Sequence, residues 1–507
     1  MVNDLIFQNT IEKIKKDFVE ISLKIEEPST NNKIVVINAT QIWTLKLFNI
    51  FLVLAKYLQK HNYCVKILID DGFLEHIDMV NANDDISIDQ LKKRSIMCAN
   101  TFCELDDNIF IPYSRLLSEE KLSISESDKN EIIHENKTNL RYSVFRYFGE
   151  NKTNSKYELS SINNLIIGDV LAKECYRKWM PIAFITLAHM NKYSFSSFYK
   201  YLTNKNITNV SIGLPMCGYK SNGIEIFSKI DTGHVMKKIM KTLIIDSSKK
   251  ETISKYFEKR FLFTNTEEIK QTKNILKGVK AKGKKIVAVF PNIFQDATWE
   301  EYNSSFVSIE EWFINTIKFL KENNFFIIIK AHPNELKWNV AKSSIDYVAD
   351  LIDENFLIIK NDSSISSYSL FDYLDLVVVY NGTLFMEAMY QDIPVIAGGN
   401  SYIIEGLFPN VTKTKEEYFE LFQNIPLLHQ NQQNKKNTLL KYIYFDFFCR
   451  EVYVKFLNHE LPYPHIDINI VKEALMNQDL ALDLFIHLVD KEKNFDFEKY
   501  KSLFELQ

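Results

Sequence analysis

The hexapeptide Lys330-Ala331-His332-Pro333-Asn334-Glu335 sets a cation, an imidazole, an amide and a carboxylate within one short run. It follows the apolar run Phe325–Ile329, which reads as a buried strand. In open α/β sheets, ligands bind beyond the carboxyl ends of the strands, where this peptide falls. Pro333 keeps His332 out of the helical region and stiffens the turn. An imidazole held there can donate to a phosphate and, if protonated, offset charge on a departing one. Lys330, Asn334 and Glu335 are its candidate companions in binding. The competing reading has His332 capping the next helix, with Pro333 in its first turn.

Three further runs end apolar segments in the same way. In Tyr380-Asn381-Gly382-Thr383 the strand gives way to a polar turn and then to a helix carrying Glu387. Free N–H groups at that helix start suit a phosphate. Gly382 permits close approach, Thr383 adds a hydroxyl, and Glu387 could reach a ribose; alternatively Thr383 caps the helix and Glu387 pairs locally. Phe290-Pro291-Asn292-Ile293-Phe294-Gln295-Asp296 brings Asn292, Gln295 and Asp296 to the end of another strand. They could contact the same ligand, although loop chemistry alone explains such residues equally well. Asp70-Asp71-Gly72 closes an earlier strand, and either acid could take a proton from an attacking hydroxyl. Acids before a glycine are also common in turns. Gly398-Gly399-Asn400-Ser401 either lines the pocket or only turns the chain.

The elements that must position these residues read as two strand–helix systems. Lys33–Asn38 and Lys285–Phe290 are unbroken apolar runs, as buried parallel strands require. The first precedes a helix over 44–61 and a strand, Cys64–Ile69. The second precedes a helix over Ile309–Glu322, the strand Phe325–Ile329, the strand Leu376–Tyr380, a short helix Leu384–Tyr390 and the strand Pro394–Ala397. Alternation of this kind predicts doubly wound parallel sheets with right-handed crossovers. A chain of 507 residues exceeds a single core, so two Rossmann-like domains are expected. They divide as residues 1–260 and 261–440, after the polar stretch Asp246–Glu258, with a helical segment 441–507. Residues 83–164 read as a polar insertion.

Composition excludes several classes. A net charge of −4 with dispersed lysines argues against a nucleic-acid partner. Cys98 and Cys103 stand with four residues between them and without a second pair, which favours reduced thiols over a zinc site, and no Asp-x-Asp at a strand end calls for a divalent metal. Asp372 and Asp375 flank a strand start and read as structural. The first residues lack the basic flank and apolar core of a signal peptide. The apolar stretch Leu45–Leu58 is too short and too interrupted to span a bilayer. A cytoplasmic protein follows, with at most peripheral contact with the inner membrane.

Residues Ser369–Asn400, with Lys330-Ala331-His332-Pro333 and Phe290–Asp296 upstream, resemble the bacterial capsular polysaccharide biosynthesis proteins. The Gly406 and Thr412–Tyr418 region fits the same group. The resemblance covers about residues 285–420, and in the first half only Val65–Gly72 shares it. It implies a GT-B fold, two Rossmann-like domains facing a central cleft, with a C-terminal helix crossing back onto the first. Some members move Kdo from a CMP-sugar. Carried across, His332 would contact the donor phosphate, Thr383 would bind phosphate, and Glu387 would hold the ribose or support its helix. The family often has Ser-Thr or Ser-Ser where this chain has Gly382-Thr383.

The expected function is therefore a metal-independent, cofactor-free Leloir glycosyltransferase. It would move a sugar from a nucleotide-sugar donor, CMP-Kdo or another CMP-sugar before a UDP-sugar, onto a bacterial surface glycan or glycolipid. Asp70 or Asp71 would act as base, and His332 would stabilise the leaving phosphate. His-Pro also occurs in teichoic-acid glycerophosphotransferases, so a CDP-glycerol type enzyme is an alternative. A two-Rossmann nucleotide-sugar epimerase and a non-catalytic surface-glycan assembly protein are the others.

Overall fold

The computed structural model describes residues 4–22, 33–39, 48–75, 87–137, 139–140, 143, 155–187, 195–213, 223–225, 240, 243–294, 305–337, 340, 342–399, 412, 414–449, 451–458, 465–477, 479–490 and 497–504. Two five-stranded, wholly parallel sheets organise them. The first contains β1 (Lys33–Asn38), β2 (Tyr63–Ile69), β3 (Phe110–Pro112), β4 (Ala183–Leu187) and β5 (Thr208–Ile212), in the order β3-β2-β1-β4-β5. A three-residue strand, β6 (Gly223–Glu225), stands outside it. The second contains β7 (Ile286–Phe290), β8 (Phe326–Lys330), β9 (Phe356–Ile359), β10 (Leu376–Val379) and β11 (Val395–Ala397), in the order β11-β10-β7-β8-β9.

The two orders are one topology used twice. Each sheet starts at its centre, adds two strands on one side, then crosses over the first strand and adds two on the other. The reversal creates a crevice beside the central strand, between β1 and β4 in one sheet and between β7 and β10 in the other. This is the two-domain α/β architecture expected of a GT-B chain. The reason lies in the apolar runs: every residue of β7, β8 and β10 is buried, so each strand needs helices on both faces. One face of the second sheet joins a core that also runs through the first half, whereas Val287, Val289, Ile327 and Ile329 meet Trp312, Phe313 and Tyr418 on the other.

Several boundaries differ from expectation. β8 ends at Lys330, which pairs with Ile359, so this lysine belongs to the sheet and not to the turn after it. The first crossover helix is Phe48–Lys60, and its expected first turn lies outside the described residues. The polar stretch before the expected domain boundary is a helix, Ser247–Arg260, capped by Asp246, whose carboxylate accepts the Lys249 N–H at 2.9 Å. Its apolar residues Ile253 and Phe257 are buried, and Phe257 stacks on Tyr390 at 4.2 Å. A polar composition with two well-placed apolar residues suffices for an amphipathic helix. The stretch read as a polar insertion contains the first sheet's β3, with helix Ile88–Cys103 packed against it, and runs into helix Ser155–Trp179.

The C-terminal segment mixes helices with short strands. Strand β12 (Glu451–Tyr453) pairs antiparallel with β6. Helix Leu480–Val489 packs on helix Phe48–Lys60 and on β5, and helix Ile468–Met476 packs on helix Asp4–Ser22. Asp490 is 4% exposed and accepts Lys33 Nζ at 3.0 Å and Tyr63 Oη at 2.9 Å, which ties the segment to the starts of β1 and β2. No helix among the described residues is long and apolar enough to cross a membrane.

Candidate functional site

Three adjacent strands, β10, β7 and β8, deliver most of the expected donor residues to one edge of the second sheet. Asn292 follows β7, the turn Asn381–Thr383 follows β10, and Lys330 and His332 end and follow β8. Across the crevice between β7 and β10, Asn292 Nδ2 donates to Asn381 Oδ1 at 2.9 Å. That bond fixes both side chains and leaves the other half of each amide for a ligand. Gln295 and Asp296 lie outside the described residues.

Lys330 is the unusual member. It is 8% exposed, and its ammonium has neither an acidic nor a hydrogen-bonding partner among the described residues. Burial pushes its pKa below the usual lysine value. A buried cation without a counter-charge is costly, and an anion bound beside it would relieve that cost.

His332 is half-buried, and its Nδ1 accepts the Asn334 backbone N–H at 3.1 Å. The ring thus caps the four-residue helix Asn334–Lys337, as the competing reading proposed. Capping and ligand binding coexist, because each uses a different nitrogen. With Nδ1 accepting, the proton of the neutral ring sits on Nε2, which has no partner among the described residues. Burial first, and then the adjacent Lys330, lower its pKa. His332 is therefore a neutral donor, and the positive charge comes from Lys330. Asn334 is exposed. Glu335 turns inward: it is 2% exposed and accepts Ser343 Oγ at 2.7 Å, the Ser344 N–H at 3.2 Å and Asn361 Nδ2 at 3.3 Å. It braces the turn and has no open oxygen aimed at a ligand by these contacts.

Gly382 has φ +109°, the left-handed region, which explains a glycine at this turn. Thr383 stands at the N-cap position without a side-chain capping bond, so its hydroxyl is available. Glu387 is 1% exposed; Arg260 Nε donates to its Oε1 at 2.6 Å, and Tyr368 Oη to its Oε2 at 3.1 Å. Both oxygens are engaged, so Glu387 supports its helix and does not reach out to a ribose. Arg260, which no sequence pattern singled out, supplies the cation. Gly398 and Gly399 are buried packing positions: a Cβ on Gly398 would lie 1.9 Å from Trp312 Nε1, and one on Gly399 2.6 Å from the Tyr380 ring.

On the first sheet, Asp70 is fully buried, and its Oδ1 accepts the N–H groups of Gly72, Phe73 and Leu74 at 3.1, 2.8 and 3.2 Å. It shapes the turn. Asp71 is half-buried, accepts the Ser114 N–H on Oδ1 at 3.2 Å, and lines a cavity of ≈ 380 Å³. Of the paired acids, Asp71 is the one that a hydroxyl can approach. Asp375, read as structural, accepts the Ile286 N–H at 2.7 Å and so anchors the start of β7.

No family model matches the sequence, and no curated protein matches it. Among solved structures, it is similar to a beta Kdo 2,7 transferase, KpsC of Thermosulfurimonas dismutans, at 13% identity over 62% of this chain and 89% of that one, with a TM-score of 0.32. It is similar to UDP-GlcNAc 2-epimerase from Neisseria meningitidis at 13% identity, over 81% of this chain and 95% of that one, with a TM-score of 0.22. The wall teichoic acid polymerase TagF aligns at 11% identity, over 96% and 100% of the two chains, with a TM-score of 0.21. Likenesses this distant carry no argument about function, which rests on the side chains above.

Proposed function

We propose that the protein is a glycosyltransferase that takes its sugar from a nucleotide donor whose phosphate is held at the β8 edge of the second sheet. The carrying observation is Lys330, a buried cation without a partner, two residues before a histidine whose free Nε2–H can donate. In the proposed complex the phosphate pairs with Lys330 and accepts from His332, while Thr383 and the Asn292–Asn381 pair contact the rest of the donor. As the bond from sugar to phosphate breaks, charge grows on the phosphate oxygen, and fixed donors in a partly dry site stabilise it. Asp71 is the proposed base, taking the proton of an acceptor hydroxyl. A CMP-sugar is the preferred donor, on the resemblance alone, and the proposal routes no step through a metal.

The test is a thermal-shift series with CMP, CDP, UDP and GDP, with and without chelator. A ligand that binds only the native state raises Tm by mass action. The expected result is a rise with a cytidine nucleotide, unchanged by chelator and absent in Lys330→Met. Equal rises in the wild type and in Lys330→Met would refute a phosphate site at Lys330.

A further inference from the structure

The cavity beside Asp71 carries an inference about the other substrate. Its lining combines Asp71, Glu75 and Asn163 with Phe73, Ile166 and Ile167. The turn is rigid, since Asp70 collects three of its backbone N–H groups and Asn164 Oδ1 accepts the Glu75 N–H at 3.1 Å. Each carboxylate is only half engaged. Asp71 Oδ1 is occupied by Ser114 and Glu75 Oε2 by Ser160 Oγ, which leaves Asp71 Oδ2 and Glu75 Oε1 open. The Asn163 amide is exposed and makes no hydrogen bond among the described residues. Ile166 and Ile167, 9% and 7% exposed, form an apolar floor, and Phe73 a wall.

Open acceptors above an apolar floor match one chemistry well. A sugar ring presents hydroxyl donors at its rim and a C–H face beneath, and carboxylate oxygens take hydroxyl protons in short, charge-assisted bonds. Among the described residues, no basic side chain lines the cavity. Lys92 passes beside Gly72, its Cε 3.5 Å from where a Cβ would stand, but forms no salt bridge with either acid. An anionic sugar would meet two carboxylates at short range, with no basic side chain among the described lining residues to offset them. We propose that this cavity binds an uncharged, hydroxyl-bearing sugar unit of the acceptor and rejects acidic ones. Calling that unit the acceptor rests on the transferase reading; the preference for a neutral sugar does not.

The experiment uses the full chain with 13C-labelled isoleucine methyls. Ile166 and Ile167 report on the cavity, and Ile327–Ile329 on the second sheet. Neutral methyl hexosides are titrated against the matching methyl hexuronates, and CMP is titrated separately. The expected result is saturable shifts at Ile166 and Ile167 with a neutral hexoside, and none with its hexuronate. Asn163→Ala, on an exposed position, and Glu75→Gln should each weaken that binding about tenfold, the effect of one lost hydrogen bond to sugar. Hexuronates binding as tightly as hexosides, or hexosides leaving both methyls unmoved, would overturn the proposal. Shifts from the hexoside with none from CMP at Ile327–Ile329 would sink the donor reading and leave the cavity assignment standing.

Discussion

Arg260 and Glu387 form an ion pair between the last residue of one helix and the buried middle of another, with Nε and Oε1 2.6 Å apart. Glu387 sits one turn beyond Asn381–Thr383, so the pair holds the helix that aims this turn. Arg260 is partly exposed, at 37% of its side chain, whereas Glu387 is at 1%. Each partner therefore has a different dependence on the other.

Removing the cation strands a carboxylate in the core. Arg260→Ala should cost about 2 kcal/mol, below the loss for a fully buried pair because solvent reaches the arginine side. Glu387→Gln, which keeps neutral hydrogen bonds to Arg260 and Tyr368, should cost less. Urea unfolding of both variants decides this, and equal losses would contradict the asymmetry.

Lys330 fixes a pH dependence with a definite sign. Its folded pKa is depressed below the ordinary 10.5, because burial penalises the charged ammonium. Stability from this group is therefore fully present above pH 10.5 and is lost as pH falls through the depressed value. Phosphate binding needs the charged form and runs the other way. Nucleotide affinity should fall as pH rises through the same window, where an ordinary lysine would still be charged. Calorimetric titration between about pH 7 and pH 10 measures it. In Lys330→Arg, whose charge persists, the fall should vanish.

His332 has two jobs on two nitrogens, and substitutions separate them. His332→Ala should lose on the order of 100- to 1000-fold in turnover, the cost of one donor to a developing oxyanion. It should also lose about 1 kcal/mol of stability, because Asn334 N–H loses its acceptor. His332→Asn restores a capping acceptor but not a donor at the Nε2 position. Its Tm should recover while its turnover stays low. Joint recovery would assign His332 to capping alone.

Gly382 and Gly398 are both intolerant of a side chain, for different reasons. At Gly382 the obstacle is the backbone: the nearest atom to an added Cβ is Asn292 Nδ2, 3.9 Å away, but φ is +109°. Gly382→Ala should cost about 1–2 kcal/mol and shift the turn. At Gly398 the obstacle is Trp312, so Gly398→Ala should be the more damaging, with a larger drop in Tm. A milder effect at Gly398 would mean that Trp312 can move aside.

The apolar runs made most of the fold legible. Helices Ile309–Glu322 and Leu384–Tyr390 read correctly to the residue, and the strand expected over Lys285–Phe290 starts one residue later, since each carries an unambiguous period and clear end signals. Helix Ser247–Arg260 was hidden, because its charge outweighs two core residues. At the candidate site, types and strand ends were readable, but commitments were not. Nothing in the local sequence reveals that Glu335 and Glu387 face inward, since their partners Ser343, Asn361, Arg260 and Tyr368 come from other elements. The split of labour within Asp70-Asp71 was equally invisible, because it depends on which carboxylate the turn's own N–H groups capture.

The bonds from Asp490 to Lys33 and Tyr63 bear on how the chain matures during translation. The second sheet and its helices, Glu267–Gln433, are contiguous and can close as soon as they emerge from the ribosome. The first sheet cannot finish in that order, because helices Ile468–Met476 and Leu480–Val489 cover its elements and are made after the second sheet. Although domains generally fold in the order of synthesis, here the half that is made first must wait, the starts of β1 and β2 uncovered, for the segment around Asp490. A ribosome stalled after residue 433 should therefore display a protease-resistant second domain and a first domain that is still cleavable.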